Sequence, residues 1–268
     1  MDSLLSEKKH YLCRRIAFYA KVMNNQQPIV MNEKNKEKDF RLSFPKDILQ
    51  LMDGFFCTSF ADAIDGLQQG VKHPAMRLNE RMKQLTNAEE QHLPVGIDIP
   101  VLIESEQAEP RATVVLLGQD PLRKCKNIDK DKGLTHAFIG TPYSIHHTDG
   151  LPTPTRVYPK LIRALLEQGY NVYLTDVRKY FPSPSNKAAK EQTQANADLL
   201  VRELHCLKGA LILILSGVQA QRFYEDNEKR LENVVTIGHV IRVPHLSLRG
   251  TTHDDKIKNV MNQINEKS

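Results

Sequence analysis

The stretch that decides the fold is Val114-Val115-Leu116-Leu117-Gly118-Gln119-Asp120-Pro121. Four consecutive apolar residues predict a buried strand, Gly118 allows the backbone to turn sharply, and Pro121 fixes the direction in which the chain leaves. Asp120 then stands at the carboxyl end of the strand, where a carboxylate can orient or polarise a water molecule. The same pattern also fits a structural turn with a surface aspartate, which is its commoner use.

Three further apolar runs follow, and amphipathic helical patterns lie between them. The runs are residues 172–174, 211–215 and 234–237, the last continuing through 240–243. Residues 211–215 form the most apolar run, so we expect them to be central and buried on both faces. Strands that alternate with helices are typical of parallel sheets. We therefore predict an α/β fold, a three-layer α/β/α arrangement around a central four-stranded, mainly parallel sheet.

The first part of the chain has a different pattern, with few strand signals. Helical spacing occurs there at three places, residues 3–23, 58–70 and 76–87. Residues 24–40 are polar and rich in lysine, which favours a loop. We therefore predict a mostly helical N-terminal extension over residues 1–110 and an α/β domain over residues 111–268.

Bulk properties argue against several classes of protein. No apolar run approaches the ~20 residues of a membrane span, and the first residues lack the basic start and long apolar stretch of a signal peptide. We expect a cytoplasmic protein without membrane contact. The cysteines are too far apart for a zinc ribbon or an iron–sulfur site, so neither kind of site is supported. They are Cys13, Cys57, Cys125 and Cys206.

The formal net charge of +5 is mildly basic and compatible with a polyanionic partner. Basic residues crowd one loop directly after the Gly118 turn. They are Arg123, Lys124, Lys126, Lys130 and Lys132. This loop either contacts a polyanion or is simply solvated, with Asp129 and Asp131 diluting its charge. The sequence leaves both interpretations open.

Polar side chains follow each of the four predicted strands. Gln119 and Asp120 follow the first strand, Asp176 the second, Ser216 the third and His245 the fourth. In open α/β sheets, sites form at the carboxyl ends of the strands, so we expect these side chains to converge. Taken singly, each has a simpler explanation: Asp176 fits a helix cap equally well, and a lone histidine is usually structural.

The segment His245-Leu246-Ser247-Leu248-Arg249 offers three kinds of polar group. An imidazole can donate to a developing oxyanion, whereas a hydroxyl and a guanidinium suit phosphate. Further upstream, Phe138 lies in a predicted loop after the first strand. It can serve as a stacking platform for a base, although a phenylalanine in such a place is more often part of the core.

Together these segments resemble the motifs of the uracil-DNA glycosylase superfamily. The family's motifs are Gly-Gln-Asp-Pro-Tyr-His, Gly-Leu-x-Phe-Ser-Val, Leu-Leu-Asn, Leu-Trp-Gly-x-x-Ala-Gln and His-Pro-Ser-Pro. The similar segments here are residues 118–123, 133–139, 173–176, 215–221 and 245–248. No single motif is decisive, but five in the right order and spacing are quite specific. The resemblance covers residues 112–266 and leaves the first 110 residues outside.

The resemblance implies roles for individual residues. Asp120 would position the attacking water or stabilise the sugar cation, and His245 would donate to the base oxygen on which negative charge grows. Gln119 would contact the base through its backbone, Phe138 would stack on the base, and Asp176 occupies the position that reads the edge of the base. The residues implied to hold the DNA backbone are Pro121, Ser216, Ser247 and Arg249. No metal or cofactor is implied.

Four positions depart from the family pattern. Leu122 replaces the tyrosine that closes the pocket against the thymine methyl, so we expect a looser pocket. Leu246 and Leu248 replace prolines, so we expect a less rigid loop. Asp176 replaces an asparagine, whose amide donates to uracil O4 and accepts from N3–H. Since an ionised carboxylate only accepts, Asp176 argues against ordinary uracil specificity unless it is protonated.

The resemblance implies a monofunctional DNA glycosylase of base-excision repair that acts as a monomer. It would hydrolyse the N-glycosidic bond of a flipped-out uracil, or of another damaged or modified base, in single- or double-stranded DNA. One alternative is a catalytically weak or inactive nucleic-acid-binding relative, which the four departures favour. Another is an α/β hydrolase that acts on a small nucleoside or nucleotide. Retention of Asp120, Phe138 and His245 favours the glycosylase.

Overall fold

A computed structural model of the chain describes residues 42–56, 61–69, 71, 74–86, 95–121, 135–147, 156–181 and 187–266. Several predictions concern residues outside these ranges. They are the helix over 3–23, the loop over 24–40, the looser pocket at Leu122 and the basic loop from Arg123 to Lys132. Among the described helices, none is both long enough and apolar enough to cross a membrane.

Within the described ranges the chain forms ten strands and seven helices. The strands are β1 (Leu42–Ser43), β2 (Ala75–Arg77), β3 (Val95–Asp98), β4 (Val101–Ile103), β5 (Thr113–Gly118), β6 (His136–Gly140), β7 (Asn171–Asp176), β8 (Tyr180–Phe181), β9 (Leu211–Ser216) and β10 (Ile237–Val243). The helices are α1 (Lys46–Phe56), α2 (Ala61–Gln68), α3 (Glu80–Thr86), α4 (Val157–Glu167), α5 (Lys187–His205), α6 (Val218–Glu232) and α7 (His253–Asn265). A short helical turn, Pro142–His147, follows β6.

The main sheet has six strands in the order β1-β4-β7-β5-β9-β10. The four predicted strands are all present as β5, β7, β9 and β10, and they run parallel. The prediction of a four-stranded sheet was wrong in number, because β4 and β1 extend the sheet beyond β7 in antiparallel pairing. Both added strands come from the region before residue 111. At two and three residues, they are too short to show the alternation that identifies a strand in a sequence.

A second sheet has the order β2-β6-β3-β8, and it also draws on the region before residue 111. The described part of this region contains four short strands beside three helices, and the prediction of a mostly helical extension did not include those strands. The helix predicted over 76–87 is divided in two. Ala75–Arg77 pairs with β6, and α3 begins only at Glu80. Asn79 sets that start, because its side-chain oxygen accepts from the Met82 N–H at 2.8 Å.

Helices cover both faces of the main sheet, because successive side chains of a strand point to opposite faces. From β5, Val114 and Leu116 pack with residues of α4 and α7, whereas Val115 and Leu117 pack with residues of α5 and α6. All four side chains are buried. The run 211–215 forms β9 and lies between β5 and β10, which confirms the prediction of an interior strand.

The register of the parallel strands brings their carboxyl ends to one edge. Gly118 of β5 lies opposite Asp176 of β7. On the other side, β5 pairs with β9, and Ser216 of β9 lies opposite Val243 of β10. Every loop that leaves this edge therefore begins within a few ångströms of its neighbours, and the polar residues that follow the strands are held side by side.

An ion pair is buried beneath the end of β7, on the face covered by α5. Lys179 and Glu203 are 1% and 0% exposed, and their Nζ and Oε2 atoms lie 2.6 Å apart. The Thr175 hydroxyl accepts from Lys179 Nζ and donates to Glu203 Oε1, and the Tyr173 hydroxyl donates to the same Oε1 at 2.8 Å. Lys179 also donates its backbone N–H to Asn196 of α5. This network fixes the turn that follows β7.

We expect the substitution Lys179→Met to lower the free energy of unfolding by about 3–5 kcal/mol, because it leaves the Glu203 carboxylate buried without a counter-charge. Urea denaturation followed by circular dichroism measures the change. The matched control is Lys160→Met, which removes an exposed lysine paired with Asp254 and should change stability little. Similar decreases in the free energy of unfolding in the two variants would show that the buried ion pair stabilises the protein no more than the exposed one does.

Candidate active site

Asp120 lies just beyond the end of β5, with its side chain only 8% exposed. Two neighbours engage the same carboxylate oxygen. Gln119 Nε2 donates to Asp120 Oδ2 at 2.8 Å, and Arg178 Nη1 lies 3.6 Å from Oδ2. Among the described residues, no hydrogen bond is made to Oδ1. Both described contacts therefore engage the same oxygen of the carboxylate.

His245 follows β10 and is half-buried. The backbone N–H of Ser247 donates to its Nδ1 at 3.3 Å, so this nitrogen is an acceptor and the neutral ring carries its proton on Nε2. Nε2 lies 3.4 Å from the Tyr158 hydroxyl, which in turn lies 2.9 Å from the Ser216 hydroxyl. The ring thus presents an N–H donor within the site.

Burial lowers the pKa of His245 below its usual value, and the nearby ammonium of Lys256 lowers it further. The carboxylate of Asp120 acts in the opposite direction and raises this pKa. The net effect keeps the imidazole neutral at pH 7. A neutral ring is required by the Ser247 contact, because protonation of Nδ1 would remove the acceptor.

The loop that carries His245 is anchored without the prolines of the family pattern. Leu246 is buried in the core beside α4 and α7, and the Leu248 N–H donates to the His245 carbonyl at 2.9 Å. Lys256 of α7 donates to the Leu246 carbonyl at 2.8 Å and also to the Leu248 carbonyl. These contacts restrain the loop by packing and hydrogen bonds, in place of the restricted backbone torsions of proline.

An aromatic pair borders the site on the face covered by α4. The rings of Tyr143 and Tyr158 stack with centroids 3.7 Å apart. A Cβ atom at Gly118 would lie 3.0 Å from the Tyr143 hydroxyl and 2.2 Å from Asp176 Oδ1, so only glycine fits beneath them. Tyr143 and Ser144 both have positive φ angles, 57° and 54°, which is uncommon for residues other than glycine. This local strain places the Tyr143 ring beside Asp176.

Asp176 itself is buried, and its carboxylate raises the pKa of Tyr143, although burial is the larger cause of that shift. The structure therefore brings Asp120, Asp176 and His245 to one edge of the sheet, as the sequence predicted. Gln119 joins them, and its backbone carbonyl accepts from the Arg178 N–H at 3.0 Å.

The other predicted site residues divide into two groups. Ser247 and Arg249 are exposed on the His245 loop, where a DNA strand could reach them. Ser216 and Pro121 are buried. The hydroxyl of Ser216 is hydrogen-bonded to that of Tyr158. It therefore points into the protein, whereas a contact with the DNA backbone would require it to face outward.

Phe138 is buried in β6 of the second sheet. Its strand neighbours Ala137 and Ile139 pack into the core of that sheet, and the side chain of Phe138 points to the opposite face. The described contacts do not join it to Asp120 or His245. Its stacking role stays a prediction.

Three residues of the site were not assigned roles from the sequence: Tyr143, Tyr158 and Arg178. Tyr158 lies on the same face of α4 as Leu161 and Leu165, and this helical spacing in the sequence indicates that its side chain faces the sheet. Arg178 stands two residues after Asp176, within the segment already singled out. The position of Tyr143 depends on its unusual backbone conformation, for which the sequence gives no signal.

We expect the pKa of His245, followed by the imidazole resonances in NMR spectra, to lie below that of a free histidine. Asp120→Asn should lower it further, because the carboxylate that favours the protonated ring is removed. The control is Asp198→Asn, which removes a carboxylate paired with Arg230 away from the site and should leave the midpoint unchanged. A midpoint that rises in Asp120→Asn would contradict the described electrostatics.

The comparisons with known proteins agree with this arrangement. A family model described as "Uracil DNA glycosylase superfamily" matches residues 105–267, which is more than half of the chain and includes all five motif segments. The searches of curated proteins and of solved structures gave no match. Among the described residues, no three or more histidine, cysteine or acidic side chains are grouped to hold a metal ion. By its sequence match and the position of its site, the chain belongs to the uracil DNA glycosylase superfamily.

Proposed function

We propose that this protein is a monofunctional DNA glycosylase that hydrolyses the N-glycosidic bond of a flipped-out base. The observation that carries the proposal is the placement of Asp120 after β5 and of His245 after β10, at the same carboxyl edge of the parallel strands β5, β9 and β10. Membership of the superfamily indicates glycosylase-type chemistry on DNA. Asp120 and His245 are the two groups that this chemistry requires.

The proposed reaction separates two charges. The bond between the sugar C1′ and the base nitrogen breaks, and its electron pair moves onto the base. His245 donates its Nε2–H to the base oxygen that gains negative charge, while the Asp120 carboxylate faces the sugar cation. The oxygen of a water molecule then bonds to C1′, and its proton leaves to Asp120 or to solvent.

The surroundings of His245 support a donor role. Because Ser247 donates to Nδ1, the Nε2 proton is available to the substrate without a change of tautomer. A neutral imidazole can stabilise the base anion through a hydrogen bond without transferring its proton. His245 therefore stays neutral from one turnover to the next at neutral pH. The Tyr158 hydroxyl lies beside Nε2 and is itself held by the Ser216 hydroxyl.

We take the reaction to be hydrolysis by water that ends at the abasic site, because a glycosylase that also cleaves the DNA strand uses an amine to attack the sugar. Two described lysines near the site are engaged elsewhere. Lys179 is buried in an ion pair with Glu203, and Lys256 donates to the Leu246 and Leu248 carbonyls.

The base specificity follows from Asp176, which lies beside the Tyr143 ring. An ionised carboxylate only accepts hydrogen bonds, so it suits a base that presents an exocyclic amine and repels the O4 atom of uracil, whereas a protonated carboxyl group mimics asparagine. We propose that the preferred substrate is a damaged or modified base other than plain uracil.

A second candidate is a nucleic-acid-binding relative without catalytic activity. One observation favours it: the guanidinium of Arg178 lies beside Asp120. A positive charge there weakens the attraction of the carboxylate for a sugar cation. Formation of abasic sites by the purified protein separates the two candidates, because only the glycosylase produces them.

We expect Asp120→Asn and His245→Gln each to lower the single-turnover rate of base release by about 10²–10³-fold, because each removes one of the groups that face developing charge. The assay uses oligonucleotides that carry uracil, mismatched cytosine, hypoxanthine or an oxidised pyrimidine. His239→Gln, at the other end of β10, is the matched control and should keep the full rate. An unchanged rate in Asp120→Asn would reject the assignment of the site.

We also expect Asp176→Asn to raise the rate on uracil by about 10-fold or more relative to the wild-type protein. An amide can donate to O4 and accept from N3–H, so it removes a mispaired buried acceptor, a change worth about 1–3 kcal/mol. The change in specificity is measured as the ratio of the rate on uracil to the rate on the substrate that the wild-type protein cleaves fastest, determined for the wild-type protein and for Asp176→Asn. A wild-type protein that cleaves uracil alone, and efficiently, would overturn the specificity proposal.

A further inference from the structure

We propose that Arg178 binds a phosphodiester group of the nucleic acid, and that its pairing with Asp120 holds it in place only while the site is empty. The inference rests on the proposed action on DNA. It assigns a polyanion-binding group to the turn after β7, a part of the site in which the family resemblance implies no contact with the DNA backbone.

The pairing of Arg178 with Asp120 is loose on one side. The distance of 3.6 Å between Nη1 and Oδ2 exceeds that of a hydrogen bond, so the contact is electrostatic, and Gln119 already donates to the same oxygen at 2.8 Å. The Arg178 side chain is 31% exposed, whereas that of Asp120 is 8% exposed. The guanidinium can therefore leave while the carboxylate stays.

The backbone beneath Arg178 is fixed, so a change of partner involves the side chain alone. The Arg178 N–H donates to the Gln119 carbonyl, and the next residue is held by the buried contacts of Lys179 with Glu203 and Asn196. Because the backbone of Arg178 is fixed, moving its guanidinium from Asp120 to a phosphate requires only a change of side-chain rotamer. The position of the positive charge along the strand ends is already set by the fold.

The chemistry of the site identifies the ligand. Asp120 is placed to face the sugar of a bound nucleotide, and that sugar carries a phosphodiester on each side. A guanidinium beside Asp120 is thus close to phosphate oxygens, which it binds with two parallel hydrogen bonds. Its transfer to phosphate also removes a positive charge from the carboxylate that must stabilise a sugar cation. Binding of the strand would in this way complete the site.

The first test measures the salt dependence of binding to an unmodified single-stranded oligodeoxynucleotide by fluorescence anisotropy. Loss of one phosphate contact in Arg178→Gln should reduce the slope of log K against log salt concentration by about 0.7. Arg178→Lys keeps the charge and should keep the slope. The control Arg202→Gln removes an exposed arginine in the last turn of α5, at the opposite edge of the sheet, and should also keep it. A wild-type slope in Arg178→Gln overturns the proposal.

The second test is a double-mutant cycle with Asp120→Asn, measured on the same DNA. Asp120→Asn should tighten binding in both backgrounds, because it removes a negative charge. If Asp120 competes with phosphate for Arg178, the gain should be larger by about threefold when Arg178 is present than in Arg178→Gln. Equal gains in the two backgrounds would show that the pairing has no influence on DNA binding, and would overturn this part of the inference.

These measurements are independent of catalysis when the oligonucleotide is an oligothymidylate, which contains no uracil and no base with an exocyclic amine. Absence of abasic sites in the activity assay, together with the expected change of slope, would reject the proposed glycosylase and retain Arg178 as a phosphate-binding residue. The opposite result, base release with an unchanged slope, would retain the proposed function and reject the role of Arg178.

Discussion

The parallel pairing of β5 with β7 and β9 is the constraint on which the site depends. Gly118 lies opposite Asp176, and one residue earlier in β7 Thr175 faces the other side of the sheet, toward Glu203. A slip of one residue would exchange these two faces and place Asp176 among the buried charges. The burial of β5 and β9 on both faces prevents such a slip, since every residue of these strands already has a fixed place in the core.

The sheet also separates two sets of charged groups with different requirements. On the face covered by α5, Lys179 and Glu203 are buried and form an ion pair with each other. This pairing makes both side chains rigid and leaves neither of them to act on a substrate. At the strand ends, Asp120 is 8% exposed and His245 is half-buried, and the guanidinium paired with Asp120 lies at 3.6 Å, beyond hydrogen-bond distance. The buried pair therefore provides a fixed base for the turn after β7, while the groups that act on a substrate keep the freedom to change partners.

Sequence patterns predicted the parallel strands and the polar residues at their ends, because long apolar runs and short polar turns are local signals. They did not predict β1 and β4, whose few residues acquire strand structure only by pairing with β7. They also missed the contacts between Tyr158, Ser216 and His245, which join elements far apart in the chain. Ser216 shows the limit clearly: its place at a strand end was predictable, but the direction of its hydroxyl depends on a helix that precedes it by 58 residues.

The loss of both prolines from the His245 loop has a consequence for how the loop is ordered. Proline restrains a loop locally, whatever its neighbours do. Here Lys256 supplies two hydrogen bonds from α7, and that helix is held against the sheet by Val260 and Ile264. The same lysine lowers the pKa of His245. Because one side chain both restrains the loop and disfavours the charged imidazole, the position and the protonation state of His245 depend together on the docking of the last helix.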